Sequence, residues 1–244
     1  MFKYFFIISF VLMLLAGCKT ASIFQESGVN STQQVPLGSI GSGNDFLFQT
    51  GFNNAAIPIY NQPIKVAVKI IFFNKQTFKA FEKAKTLQSV NVVIDYIDSL
   101  AIKPKYIELQ IADKVTVISA LNLKENSDVK AYLGHNTYAN VITSMSLALN
   151  PNDLESIIQA DAVFLVEKTP KIYVLQLYKK NKKTGIIFFN QGVVFKYKTS
   201  NCCWQENKTH EINIVDLVSE YNNCPKRTHR SAKRAQKTIN YFKL

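Results

Sequence analysis

Residues 172–197 read IYVLQLYKKNKKTGIIFFNQGVVFKY, and this stretch decides the fold class. Two runs rich in β-branched and aromatic residues, 172–178 and 186–197, flank Asn181-Lys182-Lys183-Thr184-Gly185. A short polar loop with a glycine between two such runs predicts a β-hairpin. Working outward, 162–166 reads as another strand, and so do 64–73, 106–111 and 138–149. Helical spacing of apolar residues predicts helices over 77–87 (Phe78, Phe81, Ala84) and 90–100 (Val93, Ile94, Ile97, Leu100). Residues 115–121 fit strand or helix equally.

Further helices are expected over 127–133, closed by Gly134, and over 151–158, where Pro151 suits the first turn and Asp153 the positive end. Val215, Val218 and Tyr221 suggest another helix, ended by Pro225, and 231–242 a last one. Antiparallel hairpins interspersed with helices predict an α+β fold: a single domain with a central, mainly antiparallel sheet, packed helices and a basic C-terminal helix.

The 244 residues are 47% hydrophobic, with a mean hydropathy near zero. That is the balance of a globular core and excludes a disordered chain. The formal charge of +12 favours acidic surroundings: anionic lipid head groups, lipopolysaccharide phosphates or nucleic acid.

At the N-terminus, Lys3 precedes an apolar run from Phe5 to Leu15, interrupted only by Ser9. As a helix this run would cover about 16 Å, half a bilayer core, which suits the apolar stretch of a secretory signal peptide. It ends in Leu15-Ala16-Gly17-Cys18, which resembles the lipobox of bacterial lipoproteins. The resemblance is confined to residues 1–18. It implies cleavage before Cys18, diacylglycerol on the Cys18 thiol and acylation of the new amine. The chain would then be a cell-envelope protein anchored in a membrane by lipid. Lys19 stands where some enteric lipoproteins carry an inner-membrane retention Asp, so the outer membrane is expected if the cell has one. An exported protein rarely meets nucleic acid, and none is expected as a partner.

The expected organisation is therefore a signal peptide over 1–17, a lipidated N-terminus and flexible tether over 18–56, and a globular domain over 57–244. The tether reading rests on Ser, Gly, Gln and Thr, including Gly38-Ser39-Ile40-Gly41-Ser42-Gly43. Those glycines follow no strand and include no Lys, so they are not a phosphate loop.

Chemistry-bearing motifs are few. Ser127-Asp128-Val129-Lys130, Tyr138-Ala139-Asn140 and Lys183-Thr184-Gly185 resemble the three signatures of serine penicillin-binding proteins and β-lactamases, but their spacing does not. Only ten residues separate Ser127 from Tyr138, where that family places most of a helical subdomain. Signatures of other hydrolases, zinc proteases and nucleotide-binding loops are missing. His occurs only at 135, 210 and 229, and a Glu108–Asp113 carboxylate pair lacks anything to bring it together. No catalytic residue, metal ligand or cofactor is assigned.

Cys202, Cys203 and Cys224 are an odd number for an oxidising compartment. Pairing Cys202 or Cys203 with Cys224 is the expected outcome. A vicinal bond, a zinc site with His210 and His229, and a Cys203 nucleophile served by His210 are the alternatives. Trp204 reads as core packing or as a stacking surface. From Asn222 to Leu244 there are seven bases and no acid. Arg230, Lys233, Arg234 and Lys237 would form one helical stripe, suited to an anionic lipid or an acidic envelope protein.

The expected function is a non-enzymatic binding or scaffolding lipoprotein at the membrane surface. An envelope hydrolase or thiol enzyme is the alternative, with Ser127/Lys130 or Cys203/His210 as its nameable pairs.

Overall fold

The computed structural model describes residues 29–30, 35–46 and 49–236. The signal peptide, Cys18 and Lys237 lie outside the described residues. Among those described, eleven strands form one sheet, and every strand pairing is antiparallel. In chain order the elements are β1 (Val29–Asn30), β2 (Ile40–Phe46), β3 (Gln49–Ala56), β4 (Ile64–Phe72), α1 (Lys75–Gln88), β5 (Lys105–Ile111), α2 (Lys114–Asn122), α3 (Ser127–His135), β6 (Asn140–Ala148), α4 (Pro151–Ile158), β7 (Ala162–Thr169), β8 (Ile172–Lys179), β9 (Lys182–Phe188), β10 (Val193–Glu206), β11 (Ile212–Ser219) and α5 (Ala232–Gln236). The main path runs β10-β6-β5-β4-β7-β8-β9, with β11 outside β10. Strand residues outnumber helical ones, so a mainly β description is at least as apt as α+β.

Alternation along the strands divides the core. Ile107 and Leu109 of β5 join Ile64, Val66, Met145, Leu147 and Leu175 in the main cluster, which α2 and α3 enter through Val117, Leu121 and Leu133. Tyr106, one residue out of phase with Ile107, points to the other face. There it meets Phe73, Phe195 and the Phe81 and Ala84 side of α1. Local chemistry starts the helices: Asn74 and Thr77 form a capping box on α1, Asp113 caps α2, and Asn150 caps α4 with Pro151 in its first turn.

The structure corrects several expectations. The packed body begins before Ile57: Val35 (2% exposed), Leu37, Ile40 and Phe52 belong to the main cluster, and β2 pairs with both β3 and β6. The glycines taken for a tether serve close packing instead. Gly38 sits at φ +84°, and a Cβ on Gly41 would collide with the Asn53 carbonyl and the Phe52 ring.

No helix covers 90–100. Ser89 takes a left-handed conformation at the end of α1, and Val92 and Ile94 then turn inward while Val93 and Ile97 turn outward. The apolar residues there fit both periods, and the β-branched run Val92-Val93-Ile94 disfavours the helix.

The helix expected around 215–221 is β11. A bulge between Cys203 and Trp204 shifts its register against β10, so its buried positions Ile214, Leu217 and Val218 do not alternate cleanly. Gly134 does not close α3, which runs on to His135 and is capped at Asn136.

The 172–197 hairpin is present but tighter than expected. Its turn is Lys180-Asn181, at φ 49° and 61°, and Gly185 lies inside β9. A turn with positive φ at both positions matches strand twist, and Asn suits it. The second run divides at Phe189–Gln191, which form a short 3-10 turn, so 193 onward starts a separate long strand.

Candidate functional site

Of the residues singled out in the sequence, Cys202, Cys203, Trp204, His210, Cys224 and His229 gather around the C-terminal end of β10. Cys203 and Cys224 form a disulfide with a Cα–Cα distance of 5.7 Å, and Cys202 is left free and buried. Burial pushes the Cys202 thiol up to about 12, which keeps it protonated and inert. The disulfide occupies both sulfurs that a zinc site or a Cys203 nucleophile would need. Among the described residues no three His, Cys, Asp or Glu side chains cluster as a metal would require. His210 instead sits at φ 64° in the β10–β11 turn and pairs with Glu206 at 2.9 Å.

Beyond Cys224 the chain returns to the sheet. Trp204 N–H donates to the His229 carbonyl at 2.7 Å, and His229 N–H donates to the Trp204 carbonyl at 2.9 Å. Disulfide and bridge together make residues 224–229 a strap fastened to β10. Arg230 follows, with its guanidinium turned back to donate to the Glu220 and Asn222 carbonyls at 2.7 and 2.5 Å. The expected single stripe is thereby corrected: Arg230 precedes α5 and grips the turn after β11. Lys226, Arg227, Lys233 and Arg234 are exposed.

Between α3, the β10–β11 ladder and α5 lies a groove of about 410 Å³. Its floor is apolar, formed by Ala131, Gly134, Trp204, Ile212 and Ala232, while Ser127, Lys130, His135, Lys233 and Gln236 supply its polar groups. Trp204 is 3% exposed, and a Cβ placed on Gly134 would meet the Ala232 Cβ at 3.5 Å and the Trp204 Cη2, an edge of the ring, at 3.7 Å. It is chiefly a packing residue that offers an edge and no stacking face. Ser127 and Lys130 share a helix side, one turn apart. The Lys130 ammonium donates to Asn213 Oδ1 at 2.6 Å, and partial burial holds it below the usual lysine range against the opposing pull of Glu211.

The other two fragments of the serine-enzyme signature do not join this pair. Tyr138 is 79% exposed beyond α3, and Asn140 opens β6. Lys183, Thr184 and Gly185 lie in β9, at the opposite edge of the sheet from β11. Glu108 and Asp113 do not converge either. Glu108 accepts from Lys198 at 3.0 Å and Ser144 at 3.2 Å, and these bonds outweigh its burial and hold the carboxyl below the usual range. Asp113 caps α2 through the Thr116 N–H and hydroxyl.

The groove itself was not legible in the sequence. Its walls come from residues 127–136, 204–212 and 232–236, and no local pattern signals their meeting. No protein family, no curated protein and no solved structure matches the chain. No helix among the described residues is long and apolar enough to cross a membrane.

Proposed function

We propose that this protein is a non-enzymatic envelope lipoprotein, anchored through Cys18, that binds an acidic partner through its C-terminal strap. The observation that carries the reading is the fastening of residues 224–229 to β10 by the Cys203–Cys224 disulfide and the Trp204–His229 bridge. A run free of acidic residues is thereby presented as a rigid surface, with Lys226, Arg227, Lys233 and Arg234 exposed. Pre-organised cations lose less entropy on binding than a free arm would. Attraction to an anionic surface contributes about 1 kcal/mol per base and weakens with salt. The anchor rests on the lipobox resemblance, and the membrane placement follows from it.

The test is a pull-down of the tagged full chain from native membranes in mild detergent, beside a variant with Lys226, Arg227, Lys233 and Arg234 changed to Gln. A partner recovered at low salt by the parent chain and lost from the variant supports the proposal. Equal recovery by both overturns it.

A further inference from the structure

The groove between α3 and α5 has a chemistry that the strap does not explain. About 410 Å³ is within the size range of small-molecule sites. Its floor is built from methyl groups, a bare glycine backbone, an isoleucine and an indole edge, none of which is a strong hydrogen-bonding group. Sugars and nucleotides are poorly served by such a floor, because they need donors, acceptors or an aromatic face. An alkyl chain is well served, because burying it against those groups contributes about 0.8 kcal/mol per methylene.

The polar groups add a sign. Among the lining residues are Lys130 on the α3 wall and Lys233 on the α5 wall, and no carboxylate at all. The acid that Lys130 senses, Glu211, is outside the lining and already accepts from Asn207. The Lys130 hydrogen bond goes to the neutral amide oxygen of Asn213, and among the described residues Glu211 is the acid that acts on it, without a salt bridge. A partly buried ammonium beside an apolar trough gains most from an anion delivered at the end of a greasy chain.

We propose that this groove binds a fatty-acid-like amphiphile, a single alkyl chain with a carboxylate head. The chain lies on the Ala131, Gly134, Trp204 and Ile212 floor, and the carboxylate accepts from Lys130, with Lys233 as the second cation. The inference shares Lys233 with the strap reading but does not rest on it, because Lys226 and Arg227 take no part in the groove and separate the two.

Trp204 is the chain's only tryptophan and lines the groove, so its fluorescence reports on binding there while the disulfide stays formed. The full chain, carried in lipid nanodiscs, is titrated with decanoate and, separately, with decylamine. Decanoate should change Trp204 emission saturably and decylamine should not. Lys130→Gln should weaken decanoate binding by about tenfold, the scale of one charged hydrogen bond. Gly134→Leu, which fills the floor while favouring the helix, should abolish the response and leave the fold intact by circular dichroism. A variant with Lys226 and Arg227 changed to Gln should bind decanoate as the parent does, even if its partner recovery is lost. An equal response to decylamine, or an unchanged curve in Gly134→Leu, overturns the proposal. So does saturation that emerges only after deletion of residues 237–244, which would assign the groove to the chain's own C-terminus.

Discussion

The two ends of the sheet are held together by opposite means. At one end, β7, β8 and β9 follow each other in sequence and in space, joined by tight turns at Pro170-Lys171 and Lys180-Asn181. Each strand finds its partner within about ten residues of chain, so loop closure costs little. At the other end, β10 pairs with β6, whose residues precede it by some fifty positions, and the strap returns across twenty-one residues through a disulfide. The local end joins the rest of the sheet through β7 and β4, and of the candidate site residues only Lys183, Thr184 and Gly185 lie there. The non-local end holds the groove, the strap and the exposed bases.

This contrast can be tested by perturbing each end. Leu175 in β8 is fully buried in the main cluster, so Leu175→Ala should cost roughly 3–4 kcal/mol, read as a lower urea midpoint, and leave the disulfide formed. A much smaller loss would mean that the meander contributes little to the shared core. Opening the Cys203–Cys224 disulfide, by reductant or by Cys224→Ser, should cost about 3 kcal/mol for a loop of this length. It should also move Trp204 emission to the red as the strap loosens, since the bridge would then be held by two hydrogen bonds alone. Unchanged emission would mean that packing, and not the crosslink, holds the strap. The smallest effect is at the hairpin turn. Lys180→Asn with Asn181→Gly suits positive φ at both positions and should raise stability by less than about 1 kcal/mol, without altering the groove.

Legibility followed the same division. The 172–178 strand, the 151–158 helix with its Asn150 cap and Pro151, and the 77–87 helix were readable because their signals are local. So was the choice of Cys224 as a disulfide partner, although two adjacent cysteines left its mate open. Strand alternation turns Cys202 and Cys203 to opposite faces of β10, so Cys203 joins Cys224 while Cys202 packs into the main cluster as a buried thiol. The misread elements share one cause. At 90–100 and 212–219 the spacing of apolar residues is compatible with more than one period, and in the second case a bulge produced the ambiguity. The glycines at 38–43 looked like a linker because composition does not distinguish glycine used for freedom from glycine used for close approach.

By itself the sequence determined the antiparallel hairpin character of the sheet, the Pro151 helix start, the basic excess and the acid-free C-terminal run. These depend on propensity, turn chemistry and charge, which act between near neighbours. Only the tertiary structure decided that Val35, Leu37, Ile40 and Phe52 join the core, that Arg230 turns back onto the chain, and that Lys130, Trp204 and Lys233 share one groove. Those outcomes depend on which distant strands pair and where a bulge or crosslink falls. Such choices are set by the packing of the whole chain, and no single segment records them.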